Sequence, residues 1–110
     1  MKGGVKMAIM DISVVPVGTQ SPSVSHFVAE CVKILDEKRV KYEVTSMGTE
    51  VEGEVGELLR LAEQMHLAPF AKGVQRVVTT IKIDDRRDKE LKMEGKKEAV
   101  RKRLREMADE

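Results

Sequence analysis

The hydrophobic period of this chain switches several times between two and 3.6, and the order of those switches limits its fold more than any other feature. Residues 8–15 (AIMDISVV) are rich in β-branched side chains and alternate. Ala8, Met10, Ile12 and Val14 fall on one face, and Ile9, Asp11, Ser13 and Val15 on the other, which predicts a strand. Gly18 to Ser21 read as a loop. Ser21 followed by Pro22 has the order of an N-cap and first helical residue, so a helix is expected from there to about Lys38 and Arg39. Its apolar stripe is Val24, Phe27, Val28, Cys31, Ile34 and Leu35, flanked by Glu30, Lys33, Asp36 and Glu37.

Alternation returns at Val40 to Ser46. Gly48 separates that run from Thr49 to Glu52, so the pair reads as a hairpin with a tight turn at Met47-Gly48. A second helical stripe follows at Val55, Leu58, Leu59, Ala62 and Met65, with Glu54 and Glu57 in the first turn, where the helix dipole favours them. Lys72-Gly73 is a stop signal, and Pro69 inside the span predicts a kink or break. Residues 75–83 (QRVVTTIKI) form the clearest strand, with Val77, Thr79, Ile81 and Ile83 opposed to Val78, Thr80 and Lys82.

Strand, helix, strand, strand, helix, strand is the order of the α+β ferredoxin-like βαββαβ sandwich, an antiparallel four-stranded sheet with two helices on one face. Met93, Val100, Leu104 and Met107 add an amphipathic C-terminal helix with expected pairs Glu94–Lys97 and Glu98–Lys102. One domain is expected over residues 7–107, behind a flexible N-terminal tail at residues 1–6. The sandwich leaves one sheet face uncovered, carrying Ile9, Val15 and Val78 among Asp11, Ser13, Thr80 and Lys82. So much apolar surface predicts a partner, and sheet-to-sheet self-association is the economical one.

Composition narrows the function. Twenty Lys and Arg against nineteen Asp and Glu argue against a general polyanion binder. Phe27, Tyr42 and Phe70 are the whole aromatic complement, too few for a base-stacking platform, so nucleic acid is disfavoured as a partner. A single cysteine, Cys31, makes no internal disulfide or metal finger and fits a reducing cytoplasm. No apolar run approaches the length of a membrane span, so no membrane partner is expected.

Candidate sites are few. His26 and His66 lack a second ligand at metal-binding spacing, and Cys31 lies on a core stripe, so all three read as structural, with no metal and no cofactor implied. Asp84, Asp85 and Asp88 have Arg86 and Arg87 within the same turn and read as ion-paired. The seven basic residues between Lys92 and Arg105 read as a solvated helix face, with a macromolecular contact as the alternative. PVGTQSPS offers hydroxyls at a helix start, where capping and the holding of a small polar ligand are both open. No nucleophile, base and orienting residue line up, so no catalytic residue is assigned and an enzyme is not expected.

ISVVPVGT followed by SVSHFVAECVKIL, then YEVTSMGTEVEG, a helix with a late histidine, and RVVTTIKIDDRRD resemble the small YkoF-like thiamine-binding family, over roughly residues 9–104. The resemblance implies a ferredoxin-like fold, homotetramers built from sheet-packed dimers, and non-catalytic binding of thiamine or its hydroxymethylpyrimidine portion. An acidic residue often follows the late histidine in that family, whereas Leu67 stands here, with Pro69 close behind. An aminopyrimidine edge asks for paired donors and acceptors, and a thiazolium cation for a carboxylate. Ser23 and Ser25 at the helix start, Thr49 and Glu52 in MGTEVEG, and Thr80 and Lys82 on the last strand supply such groups and are the expected ligand-binding residues.

Overall fold

Alternation along the first strand sets the layers. In the computed structural model, which describes residues 7–109, β1 (Ala8–Val17) buries Ala8, Met10 and Ile12 on one face. The tail expected at residues 1–6 lies outside the described residues. β1 pairs antiparallel with β3 (Thr49–Gly53), from Ala8↔Gly53 to Ile12↔Thr49, and with β4 (Arg76–Asp84), from Ile9↔Asp84 to Val17↔Arg76. β2 (Tyr42–Val44) closes the other edge against β3, giving the order β2-β3-β1-β4. Helices α1 (Ser25–Lys38) and α2 (Val55–Leu67) cover the Met10 face, where Cys31, Leu35, Leu58, Leu61, Ala62 and Met65 join Val51 in one core. The architecture is the expected ferredoxin-like sandwich with an added C-terminal helix, α3 (Met93–Ala108).

Helix α1 begins at Ser25 with Val24 as its N-cap, not at Ser21-Pro22. The upstream hydroxyls make a turn of their own: Thr19 Oγ1 donates to the Ser21 carbonyl, and the Ser23 amide donates to Ser21 Oγ. Such local bonds compete with helical ones, so the capping residue read from sequence is spent before the helix starts. The helix ends where expected, on Arg39 in the left-handed region (φ 56°), whose amide closes on the Asp36 and Leu35 carbonyls.

Pro69 acts as the expected break. α2 stops at Leu67, and a 3-10 turn over Ala68–Lys72 takes the proline in its first turn, where the missing amide costs no helical bond, before Gly73 turns the chain (φ 90°). The hairpin between β2 and β3 is looser than a tight turn at Met47-Gly48. β2 has three residues, and Thr45 to Gly48 form the connection, closed by the Thr45 amide and hydroxyl donating to the Gly48 carbonyl. A Cβ on Gly48 would stand 3.0 Å from the Ile12 carbonyl oxygen, so this loop lies hard against β1.

After β4 the chain crosses to the open face. Leu91 and Met93 bury Ile9 there, so Ile9 is not part of the exposed sheet surface expected of it; Val15 and Val78 remain exposed. The rest of α3 projects, and the radius of gyration is 16.6 Å against about 13 Å for a compact chain of this length. Glu94 pairs with Lys97 as expected, but Glu98 takes Arg101 and Arg105, through one nitrogen each, rather than Lys102. Among the described residues no helix is long and apolar enough to cross a membrane.

Arg39 holds a conformation that disfavours residues with a Cβ. Arg39→Gly should therefore raise stability by roughly 1 kcal/mol, read as a higher urea midpoint with an unchanged slope; a lower midpoint would show that the arginine side chain outweighs its backbone strain.

Candidate functional site

The sheet divides the six expected ligand residues. Thr49 shares its face of β3 with the core residue Val51, is buried, and looks toward the helices. Glu52 alternates to the open face, as do Thr80 and Lys82, which stand opposite Ser13 and Asp11. Ser23 and Ser25 are exposed at the entrance to α1. The structure thus brings Thr80 and Lys82 together on one strand face, while Thr49 and Glu52 lie on opposite sides of the sheet.

A groove of about 310 Å³ lies on the helix side. Its walls are Ile12 to Val15 of β1, the N-cap Val24 with Val28 and Cys31 of α1, the loop Thr45 to Gly48 with Thr49, and Met65 of α2. It exists because the two ladders of β1 differ in length. Pairing with β3 stops at Ile12↔Thr49, whereas pairing with β4 runs to Val17↔Arg76, so beyond Ile12 one backbone edge of β1 lies bare beside the Thr45–Gly48 loop. Strand amides and carbonyls on such an edge present donors and acceptors at regular spacing. The Thr45, Ser46 and Thr49 hydroxyls add to these, and no Asp, Glu, Lys, Arg or His is among the lining residues.

Cys31 is in this wall but is a poor nucleophile. Its thiol donates to the Met65 carbonyl, and burial first, then the nearby Glu30 charge, pushes it above its ordinary value. Val24, Val28 and Met65 were legible only as core positions, and Met47 as a soft side chain that could stand in for an aromatic ring. The available signals were an apolar stripe on α1 wider than the three side chains that it fully buries, and an apolar Met47 at a polar loop tip.

Glu52 lies on the open face. It is only 6% exposed, one oxygen accepts the Met93 amide at the start of α3 at 2.5 Å, and the other lies 3.9 Å from Lys41. A carboxylate there answers the unpaired amides and positive end of the helix. Lys96 then reaches Asp84 on β4 at 2.5 Å, and Lys97 reaches Glu43 on β2, so the first turns of α3 span the sheet from edge to edge. The Glu43 carboxylate beside Lys97 raises the ammonium above its usual range.

The acids after β4 are ion-paired. Arg86 grips Asp88 and Arg87 grips Asp85 through two bonds each, while Asp84 goes to Lys96. The Arg86 guanidinium holds the Asp88 carboxyl down at about 2, and Arg87 lowers Asp85 in the same way. The His26 ring lies tilted against that of Phe27, and His66 Nδ1 shares a 2.7 Å hydrogen bond with Thr79 Oγ1, tying α2 to β4.

Residues 10–101 match the family described as thiamine-binding protein. The UPF0045 protein YqgV of Bacillus subtilis (strain 168) is 48% identical over 102 residues, covering 89% of this chain and 98% of that protein. The UPF0045 protein in the glkA 3' region of Staphylococcus xylosus is 45% identical over 102 residues, covering 89% and 95% respectively. Among solved structures, the hypothetical protein MJ1052 of Methanocaldococcus jannaschii superposes with a TM-score of 0.79 at 32% identity, covering 87% of this chain and 97% of that one.

Two outcomes follow from these contacts. Glu52→Ala strips the first turn of α3 of its acceptor, so amide exchange at Met93 to Lys97 should quicken at least tenfold while β1 and β3 stay protected; equal rates would mean that Leu91 and Met93 hold the helix unaided. Because the folded Asp88 carboxyl lies below its ordinary 3.8, the Arg86 pair stabilises the loop at neutral pH and is lost as pH falls through about 2. Carbon-detected titration should place the Asp88 midpoint near 2, and an ordinary midpoint would show that the pair does not form in solution.

Proposed function

The chain belongs to the thiamine-binding protein family, and on that premise we propose that it binds thiamine, or the hydroxymethylpyrimidine portion of it, reversibly and without chemical turnover. The observation that carries this reading is the groove between α1 and the Thr45–Gly48 loop, where a mostly apolar slot meets a bare strand edge and several hydroxyls. A planar aminopyrimidine needs those features: flat apolar walls for its faces and alternating donors and acceptors for its edge. The groove's lining is uncharged, so the pyrimidine end enters and the thiazolium cation stays at the mouth, near Ser23 and Ser25. Thr49 is the hydroxyl best placed to touch the ring. Glu52 acts instead as the anchor of α3, and Thr80 and Lys82 belong to the open face. The binder works as a homo-oligomer in the cytoplasm, a tetramer whose copies meet through the exposed part of the sheet face around Val15 and Val78.

A second reading has one observation behind it. α3 projects with Val100, Leu104 and Met107 exposed between Arg101, Lys102, Arg103 and Arg105, a surface for a macromolecule gathered by an oligomeric module.

Thermal unfolding separates the two. Thiamine or hydroxymethylpyrimidine at a hundred times its dissociation constant should add about 2.7 kcal/mol of stability, and Thr49→Val should weaken the pyrimidine on the order of tenfold. Glu52→Gln and Lys82→Ala should leave that affinity within about twofold. No shift with either ligand removes the binding reading and leaves the α3 surface. For the assembly, Val15→Asp should lower the mass measured by light scattering, since a buried unpaired charge costs several kcal/mol; an unchanged mass moves the interface off that face.

A further inference from the structure

Two stretches of chain meet at the end of the sheet where β1 stops and β4 starts. Val17 is paired with Arg76, Gly18 turns the chain away from β1 with φ 81°, and Gly73 turns it toward β4 with φ 90°. A Cβ built on either glycine would meet nothing within 4 Å, so both turns border open space. That space is a hollow of about 600 Å³. It takes Phe27 from α1, whereas the groove takes Val28 and Cys31, and the two share no lining residue. Its charge is one-sided: Lys72 and Arg76 line it, and no Asp or Glu is among its lining residues. The hollow over the open sheet face is different, because there Asp11, Glu50 and Asp84 balance Lys82, Lys96 and Lys97. Lys72 has a loose pair with Glu30, 4.0 Å away, and among the described residues Arg76 has no ion-pair partner.

We propose that this hollow is a second ligand site, for a small phosphate monoester that carries a flat or apolar group. The proposal goes beyond the pyrimidine-binding reading and does not rest on it. A phosphate monoester brings close to two negative charges and three strong acceptor oxygens. The Arg76 guanidinium takes two of those oxygens in its planar fork, and the Lys72 ammonium takes the third. At 4.0 Å the Glu30 carboxylate is too far to hydrogen-bond Lys72, so that pair leaves the ammonium's donors to a ligand. The carboxamides of Gln20 and Gln75 add neutral donors on the same walls. A carboxylate is a poorer match, since it offers one charge and two oxygens to two cations. Both cations are fixed at the backbone. Lys72 ends the 3-10 turn that the Gly73 and Val74 amides close onto the Phe70 and Pro69 carbonyls, and Arg76 is held in register with Val17, so binding orders side chains only. Phe27, 7% exposed, and Val17, 36% exposed, give the apolar wall against which the organic group lies.

Phenyl phosphate is the probe. In amide spectra of the full chain it should shift Gly18, Gln20, Gly73 and Gln75 saturably while Ser46 to Thr49 stay in place. Arg76→Ala should weaken it at least tenfold and Lys72→Ala at least fivefold, and Arg76→Lys should fall between Arg76→Ala and the parent chain, because an ammonium lacks the fork. Both side chains are exposed, so these variants keep the fold. Inorganic phosphate should bind at least threefold more weakly than phenyl phosphate, and benzoate more weakly still. Lys102→Ala on α3 and Thr49→Val in the groove should leave the affinity for phenyl phosphate within about twofold, which keeps this site apart from the basic helix and from the pyrimidine groove. Shifts that do not saturate, or that spread over the basic face of α3, would show general attraction of anions and overturn the proposal. A double variant Lys72→Ala/Arg76→Ala that binds as well as the parent overturns it too, and inorganic phosphate bound as tightly as phenyl phosphate overturns the assignment to an organic monoester.

Discussion

β1 is paired on both sides and buried on one face, and every other element takes its position from that strand. A slip of one residue would carry Asp11 and Ser13 into the helical core and Met10 and Ile12 out of it. No compensating contact is available, because Leu35, Leu58 and Met65 are shaped around the apolar set. The register of β1 therefore fixes β3 and β4 together, and the two helices follow because each connects strands that already have their places.

The open face is stabilised by different means. Its residues on β1, β3 and β4 include Asp11, Glu50, Glu52, Lys82 and Asp84, and the chain does not cover them with a second apolar layer. It pins the start of one helix over them. A buried carboxylate accepts a helix amide, two lysines reach opposite edges of the sheet, and a small apolar plug of Ile9, Leu91 and Met93 seals the centre. The plug is small, so the polar contacts carry much of the orientation.

The layers were legible in the sequence because they rest on periodicity, which is local. The break at Pro69 and the end of α1 were legible for the same reason. The start of α1 was not, because the Ser21 hydroxyl had two local uses and the turn won. The burial of Ile9 was not, because Leu91 lies more than eighty residues away and nothing in either segment names the other. For the candidate site the decisive fact is parity. Thr49 and Glu52 are three residues apart on a strand, so they point to opposite faces. The apolar walls of the groove were harder to read, because they carry the same signature as core.

The unequal ladders of β1 have a mechanical consequence. From Ser13 to Val17 the strand is held by β4 alone, so the floor of the groove is a cantilever clamped at Ile12 and braced along one side. Its compliance is set by how firmly β4 is held. Fraying of β4 by heat or denaturant therefore deforms the groove while Met10, Val51 and the helices above them are still packed.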